Sequence, residues 1–321
     1  MIFIHFLAKM RHLCSKPERM QQKWTNWLVF ALLSIVWGSS FILMKEGLKA
    51  FNPYQVASLR MLSAGLVLLP FAIQAFKKIP KDKMGLVIIS GLVGNFIPAY
   101  LFCIAETRID SALAGILNSL TPLFTIIVGL VFYKVQTSAI KLLGILIGFI
   151  GLACLMLAGK EVHFEHLSYA SLVLVATIMY GINVHTVGRY LKEIGSIQIA
   201  SVAFSFLIIP SATVLYFTDF FSNDFSNPVV LHSTIAGGVL GMVGTSMASI
   251  LFYYLVKKAG ILFGSLVTYG IPVVAVAWGI GFGESLTPVQ ILCLAVILFG
   301  VYIVNRGNLN FIPFLKQKDP Q

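Results

Sequence analysis

The stretch Gly91-Leu92-Val93-Gly94 returns later in the chain as Gly241-Met242-Val243-Gly244, at a shift of 150 residues. The same shift relates three further places: Leu101-Phe102 to Leu251-Phe252, Pro122 to Pro272, and Thr137 to Thr287. A slightly smaller shift brings Trp37-Gly38 onto Tyr180-Gly181. Because the matches keep one order along the chain, the sequence predicts two similar halves.

The composition indicates a protein whose solvent is lipid. Of the 321 residues, 58% are hydrophobic and 11% are charged, whereas a soluble domain carries about 25% charged residues. A helix needs about 20 mostly apolar residues to cross the hydrocarbon core. We therefore predict an all-α membrane protein with ten transmembrane helices, near residues 26–44, 55–76, 85–105, 111–133, 139–158, 168–188, 196–217, 232–255, 261–282 and 289–305.

The lysines and arginines indicate how these helices are oriented. With both termini placed inside, 18 basic residues fall on the inner side and five on the outer side. Cytoplasmic loops are enriched in lysine and arginine, so we predict a multi-pass protein of the cytoplasmic (inner) membrane with both termini in the cytoplasm. The net charge of +11 then reflects membrane orientation, and no nucleic-acid partner is expected.

The domain organisation follows from the helix count. Five helices per half is an odd number, so the second half must cross the membrane upside down relative to the first. We expect a basic arm at residues 1–23, a first repeat at 24–159, a second repeat at 160–306, and a cytoplasmic tail at 307–321. Inverted repeats of this kind place a substrate site near the middle of the membrane.

Three stretches resemble one transporter family. They are WGSSF at 37–41, TRIDSALAGILNSLTPLFTIIVGLVFYK at 107–134, and KKAGILFGSLVTYGIPVVAVAWGIGFGESL at 257–286. All three look like EamA-type carriers of the drug/metabolite transporter superfamily. The resemblance covers about residues 24–306, and it implies ten helices in two inverted halves that move small organic metabolites. The family often has a Gly-Glu pair after both the fourth and ninth helices, whereas here only Gly283-Glu284 keeps it, and Tyr133-Lys134 stands in the first half.

Polar and aromatic side chains inside the apolar segments are candidates for a substrate cavity, because polar groups buried in a membrane are costly and usually face protein or water. The candidates are Trp37, Ser40, Asn95, Tyr100, Asn118, Thr121, Tyr180, Asn183, His185, Thr245 and Tyr269. Helix packing and hydrogen bonds between helices are the alternative roles. We expect Pro122 and Pro272 to break their helices beside the cavity.

Charged residues near the outer ends of the first three segments are candidates for a gate or for ion pairs: Lys45, Glu46, Arg60 and Glu106. For Lys45 and Glu46 the alternative is a solvated or snorkelling pair. Arg60 could be an interfacial cation, an anchor for an anionic substrate group, or the partner of Glu46 or Glu106, because a guanidinium pairs with carboxylates in a planar fork.

Three classes of function compete. An intramembrane serine protease could use Ser39 or Ser40 with His185, but the GxSxG elbow is absent, and the sequence offers neither an HExxH metal motif nor an ATP-binding loop. A passive pore or a structural subunit would be the second class, yet no ring of charges or filter loop is visible.

We therefore predict a secondary transporter that works by alternating access, and no enzyme. We expect no cofactor and no metal. The resemblance implies export of small organic metabolites, such as amino acids or amphiphilic compounds. The expected partners are this small-molecule substrate and the lipid bilayer, with the protein acting as a monomer or homodimer.

Overall fold

The computed structural model describes the backbone of residues 2–134, 138–157, 164–284 and 287–306, and side chains within 24–134, 138–140, 143–154, 167–284 and 287–303. The predicted basic arm (1–23) and tail (307–321) lie outside the residues whose side chains are described. No β-strand occurs in this described part. Its α-helices are α1 (Ile2–Leu48), α2 (Pro53–Ala75), α3 (Lys81–Gly91), α4 (Ile97–Ala105), α5 (Ser111–Asn118), α6 (Thr121–Tyr133), α7 (Ala139–Leu157), α8 (Phe164–His185), α9 (Ser196–Phe217), α10 (Pro228–Gly241), α11 (Ala248–Ala259), α12 (Ile261–Ser265), α13 (Val267–Gly281) and α14 (Pro288–Arg306).

Most of these helices join into stretches long enough to cross a membrane. Eight such stretches occur among the described residues: Trp24–Leu48, Pro53–Ala75, Lys81–Ala105, Ser111–Tyr133, Leu167–Tyr190, Ser196–Phe217, Pro228–Ala259 and Ile261–Gly281. Two shorter apolar helices, Leu143–Cys154 and Pro288–Ile303, follow the fourth and the eighth stretch. Large apolar side chains such as Ile209 and Phe217 are exposed, as a lipid-facing surface requires. The chain is thus a multi-pass, all-helical membrane protein.

Three of the long stretches contain a short π-helical segment, and two of these segments lie at matching places. The matching pair is Leu92–Phe96, between α3 and α4, and Met242–Met247, between α10 and α11; the third segment, Thr186–Tyr190, follows α8. Each segment of the matching pair follows directly after the first glycine of the repeated motif, Gly91 or Gly241. Short π-helical segments inside α-helices are frequent at functional sites, so both mark places of interest.

Two other stretches are broken helices. α5 and α6 are separated at Ser119–Leu120, and Pro122 is the second residue of α6, where its missing N–H costs no helical hydrogen bond. In the second half the interruption lies at Leu266, and α13 runs on through Pro272. The break expected at Pro272 therefore occurs about a turn and a half earlier. Pro272 is accommodated in the second turn of α13, where its missing N–H leaves only one backbone carbonyl without a helical hydrogen bond.

The helices pack in pairs that the sequence repeat relates. Helix α1 contacts α11 and α13, just as α8 contacts α4 and α6, while α2 packs on α9 and α7 on α14. The last contact is close. A Cβ on Gly300 of α14 would lie 2.5 Å from the Gly148 nitrogen and 2.7 Å from the Gly144 oxygen of α7. Small residues allow membrane helices to approach in this way. The contact of α7 with α14 is thus a close one between the two halves.

Candidate functional site

A cavity lies between the two halves, beside the two matching π-helical segments. Its volume is about 80 Å³, several times the space that one buried water needs. Arg60 is part of its wall. Seven of the residues predicted for a cavity also line it: Trp37, Ser40, Asn95, Asn118, Thr121, Tyr180 and Asn183. These side chains come from five separate transmembrane stretches and converge on one space.

Two aromatic pairs in the cavity wall are equivalent under the repeat. Trp37 of α1 packs edge-on against Phe252 of α11, with ring centroids 5.1 Å apart. Tyr180 of α8 stacks on Phe102 of α4 at 6.1 Å. The sequence repeat matches Trp37 with Tyr180 and Phe102 with Phe252, so the second contact is the first one rebuilt from the other half. Each pair fixes one helix against its neighbour by an aromatic contact.

Each of the two matching π-helical segments also presents a glycine to a polar side chain of the other half. A Cβ on Gly94 would lie 2.1 Å from Nδ2 of Asn183, and one on Gly244 would lie 2.8 Å from Oγ of Ser40. The repeat matches Ser40 with Asn183 and Gly94 with Gly244, so these two contacts are equivalent as well. Trp37 Nε1 donates to the Gly244 carbonyl oxygen at 2.9 Å. Only glycine lets the polar groups lie this close to the backbone.

A chain of hydrogen bonds joins three helices beside the cavity. Ser90 Oγ donates to Asn183 Oδ1 at 2.6 Å and lies 3.4 Å from the Tyr253 hydroxyl. Asn95 Nδ2 donates to the same hydroxyl at 3.1 Å, and Ser249 Oγ donates to Asn95 Oδ1 at 3.1 Å. Tyr253 is 1% exposed. A satisfied buried network of this kind stabilises the observed packing of these helices.

The interruption between α5 and α6 brings a carboxamide into the wall. Thr121 Oγ1 donates to the backbone carbonyl oxygen of Asn118 at 2.7 Å, which is one of the carbonyls at the end of α5 that lack a helical partner. The side-chain Oδ1 of Asn118 lies 3.4 Å from the same hydroxyl. The hydroxyl therefore satisfies the backbone, and the Asn118 side chain stays at the cavity.

The charged residues at the outer end pair with one another. Lys49 Nζ lies 2.7 Å from Glu46 Oε1, and His232 Nδ1 lies 3.5 Å from Glu46 Oε2. Lys45 Nζ lies 3.7 Å from Asp110 Oδ1, which connects the end of α1 to the start of α5. Among the described residues no three histidine, cysteine, aspartate or glutamate side chains meet as metal ligands would.

Arg60 makes a different contact from the one considered in the sequence. Its Nε donates to Thr245 Oγ1 at 2.6 Å, and Nη1 lies 3.8 Å from Met44 Sδ. No ion pair of Arg60 with Glu46 or Glu106 occurs in the described part of the chain. Glu46 pairs with Lys49 instead and also contacts His232. The guanidinium instead belongs to the cavity wall.

Two carboxyl groups lie at the N-terminus of α5. Glu284 accepts the backbone N–H groups of Ser111 and Ala112, both at 3.0 Å. Glu106 is 2% exposed; Ser111 Oγ donates to its Oε2 at 3.5 Å, and its Oε1 has no partner among the described residues. Burial raises the pKa of Glu106 well above its usual range, with the Lys45 and Arg60 charges opposing this shift and the Glu284 charge adding to it. Glu106 therefore keeps its proton to a higher pH than an exposed glutamate would.

Four of the predicted candidates, all within the described residues, do not line the cavity: Tyr100, His185, Thr245 and Tyr269. The Tyr100 hydroxyl lies 2.7 Å from Ser58 Oγ, so it joins α4 to α2. His185 Nε2 lies 2.9 Å from the Thr125 carbonyl oxygen, and the ring stacks on Tyr133. These two side chains connect neighbouring helices.

Sequence reasoning missed several residues of the wall, chiefly Phe252 and Tyr253 on α11. A tyrosine within an apolar helix has no distinctive pattern, since only the rotation of the helix decides where its hydroxyl points. One signal was present. Thr245, Ser249 and Phe252 recur at spacings of four and three residues, which places them on one helical face.

The chain resembles known transporters along most of its length. It is 27% identical over 293 residues to the "Uncharacterized inner membrane transporter YedA" of Escherichia coli (strain K12), covering 88% of this chain and 91% of that protein. It is 26% identical over 282 residues to an "Uncharacterized transporter" of Archaeoglobus fulgidus, covering 88% and 99%. A "Probable amino-acid metabolite efflux pump" of Salmonella typhimurium is 28% identical over 146 residues, covering 44% and 46%.

One solved crystal structure has a similar fold. It superposes with a TM-score of 0.61 at 16% identity, covering 87% of this chain and 95% of that chain. The model of the EamA-like transporter family matches residues 25–157 and 167–306. The Trp37–Phe252 and Tyr180–Phe102 contacts each join a residue of the first match to a residue of the second. The chain belongs to the EamA-like transporter family.

Proposed function

We propose that the protein is a secondary transporter that exports small organic metabolites across the cytoplasmic membrane by alternating access. The two halves would exchange their arrangements around the central cavity, which opens first to one side and then to the other. Such carriers bind substrate where two repeats meet. The cavity described above lies at such a place, since both halves contribute to its wall.

One observation carries the proposal. The contact of Trp37 with Phe252 has its equivalent in the contact of Tyr180 with Phe102, and the Ser40–Gly244 approach has its equivalent in Asn183–Gly94. A wall made of two equivalent half-sites can adopt two arrangements of similar energy, related by a pseudo-two-fold axis, in which the halves exchange roles. A structural subunit would gain nothing from this duplication.

The proposal includes ten helices in two inverted halves. Helices α7 and α14 would be the fifth and tenth spans; each has 19 residues, or about 28 Å of helix, close to the thickness of the hydrocarbon core. They follow four long stretches each, so both halves would contain five spans. The excess of lysine and arginine on one side supports placing both termini in the cytoplasm.

The substrate class and the direction rest partly on likeness. A relative that matches 44% of the chain is named "Probable amino-acid metabolite efflux pump". The cavity combines aromatic rings with carboxamides, which suits a small amphiphilic metabolite. We propose amino acids and related metabolites as the substrates, with the bilayer as the protein's surroundings. The protein would act as a monomer or homodimer, since the cavity is formed within one chain.

Uptake into proteoliposomes tests the proposal. Purified protein in vesicles is given a metabolite mixture, and the vesicle contents are identified by mass spectrometry. We expect specific metabolites to accumulate above the level in empty vesicles. Trp37→Ala and Asn118→Ala should reduce this uptake severalfold, because both side chains line the cavity. The exposed Lys134 provides the control, and Lys134→Ala should transport normally. No accumulation under any gradient would refute the carrier.

A further inference from the structure

The guanidinium of Arg60 is a buried charge in the cavity wall. It lies in the third helical turn of α2, about 10 Å along the helix from Pro53, and the residue is only 9% exposed. Arginine stays protonated in proteins. A charge inside a membrane protein is costly unless it has a partner or faces water, so its partners decide what it does.

The partners of Arg60 in the structure are neutral. Nε donates to the Thr245 hydroxyl at 2.6 Å, and Nη1 approaches the Met44 sulfur at 3.8 Å. Among the described residues no carboxylate lies within ion-pair distance of it. A guanidinium has five N–H donors, so most of those on its two terminal nitrogens have no oxygen acceptor in the described chain.

The nearby acidic residues are no counter-ion for Arg60. The Arg60 charge acts on Glu106, but the two side chains form no ion pair, and burial raises the pKa of Glu106, which favours its neutral form. Glu46 is held by Lys49 and His232, and Asp110 is 3.7 Å from Lys45. Glu284 accepts two backbone N–H groups at the start of α5. Arg60 is thus left as a cavity cation without a counter-ion from the described part of the protein.

The remainder of the cavity wall has no negative charge to offer. The lining residues include no aspartate or glutamate within the described chain. Rings stand near the arginine instead, since Trp37, Phe102, Tyr180 and Phe252 all belong to the same wall. A ligand that satisfies both features has one anionic group and an apolar body, and an organic cation would meet repulsion without compensation.

We propose that Arg60 binds the carboxylate of the transported metabolite, so that the substrates are small organic carboxylates with an apolar or aromatic body. This inference rests on the proposed transport function and adds the substrate class. The two terminal nitrogens of Arg60 form the fork that pairs with both carboxylate oxygens. The aromatic pairs of the two halves cover the apolar part of the substrate.

Thr245 is a positioning residue for this fork. It lies in the π-helical segment Met242–Met247, and its hydroxyl donates to the Leu240 carbonyl oxygen at 3.1 Å while accepting from Arg60 Nε. This double contact fixes the direction of the guanidinium plane and leaves the terminal nitrogens toward the cavity. Helix α9, the repeat counterpart of α2, carries no charged residue, so the anion site is present in one half only.

Binding of three matched probes tests the inference. Full-length protein in detergent is titrated calorimetrically with 3-phenylpropanoate, 3-phenylpropanamide and 3-phenylpropylamine, which share one apolar body. We expect the carboxylate to bind at least about tenfold more tightly than the amide, because charge-assisted hydrogen bonds are stronger than neutral ones. The amine should bind most weakly. Equal or tighter binding of the amide or amine would overturn the inference, as would a lack of binding by all three.

Variants locate the effect at Arg60. Arg60→Gln should remove the preference for the carboxylate, and Arg60→Lys should keep part of it, because an ammonium retains the charge without the fork. Arg189→Gln is the matched control: Arg189 is exposed and lies over the Tyr133 ring at 5.1 Å, so the preference should persist. A preference that survives in Arg60→Gln, with the variant folded by its melting curve, would contradict the assignment.

The uptake experiment separates this inference from the proposed function. Accumulation of neutral or cationic metabolites, with carboxylates excluded, would refute the anion site and leave the carrier standing. A failure of all uptake would refute the carrier itself. Thr245→Val should weaken carboxylate binding severalfold while the binding of the amide stays the same, since its role acts through Arg60.

Discussion

Single glycines decide whether the polar groups of the cavity can reach their places. At Gly94 a methyl group would overlap the Asn183 amide, with only 2.1 Å to Nδ2 and 2.4 Å to Cγ. At Gly244 the nearest atom is the smaller Ser40 hydroxyl, at 2.8 Å. The two equivalent contacts are therefore unequally tight, and the first half tolerates less change.

Gly94→Ala should consequently destabilise the protein by about 1–3 kcal/mol, the usual cost of overpacking. Gly85 of the same transmembrane stretch has nothing within 4 Å of its Cβ position, so Gly85→Ala should be neutral or stabilising by about 0.5–1 kcal/mol. Thermal unfolding in detergent measures both. Combining Gly94→Ala with Asn183→Ser should restore part of the loss; if the double variant melts no higher than Gly94→Ala alone, the overlap with Asn183 is not the cause.

Site residues that match along the sequence repeat could be predicted. Residues whose role depends on how a helix is rotated about its axis could not. The repeat matches of Trp37 with Tyr180 and of Phe102 with Phe252 are visible in the sequence. In the structure, Trp37 contacts Phe252 and Tyr180 contacts Phe102. The hydroxyl of Tyr253 and the direction of His185 depend on how each helix is turned. These helices carry apolar residues on all their faces. Hydrophobic periodicity, the usual guide to helix rotation, therefore gives little information about them.

At the scale of elements, α5 is capped from the far end of the chain. Its own N-cap residue, Asp110, makes no side-chain capping bond and lies near Lys45 instead. Glu284, which follows α13, accepts the first N–H groups of α5, and a negative charge there also suits the helix dipole. The carboxylate thereby connects the end of α13 to the start of α5, and these two helices also pack together.

Glu284→Gln should therefore lower stability by about 0.5–2 kcal/mol, because an amide loses the charge and one of the two acceptor oxygens. The corresponding place in the first half holds Lys134, which is exposed, and Lys134→Gln should leave the melting temperature unchanged. Hydrogen exchange at the amides of Ser111 and Ala112 provides a local measurement. Unchanged protection there in Glu284→Gln would argue against the capping role.

The helices themselves were largely predictable, and their irregularities were not. Mean hydropathy locates the long apolar stretches, because a helix that crosses the membrane needs apolar side chains along its whole length. The π-helical segments and the shift of the second interruption to Leu266 are local adjustments of hydrogen bonding. They depend on contacts between halves, such as Trp37 with the Gly244 carbonyl, which no local pattern contains.

At the scale of the whole molecule, the proposed inversion has a direct test. Reporter enzymes fused after Lys83 and after Asn223 should report the cytoplasmic and the outer side respectively, because two spans precede the first site and seven precede the second. A fusion after Lys192, beyond six spans, should agree with the one after Lys83. The same side for Lys83 and Asn223 would rule out two inverted halves of five helices.

The two halves are similar in contacts and unequal in charge. Helix α2 carries Arg60, whereas its counterpart α9 carries no charged residue. The repeat equivalent of Trp37 is a tyrosine, Tyr180. In a carrier with identical halves, the two end states would have equal free energies and each would be populated half of the time. Under the proposed alternating access, interactions present in only one half would make the two end states unequal in free energy, and a difference of about 1.4 kcal/mol gives a tenfold bias. The unequal pairs would then set the side to which the empty protein is open at rest.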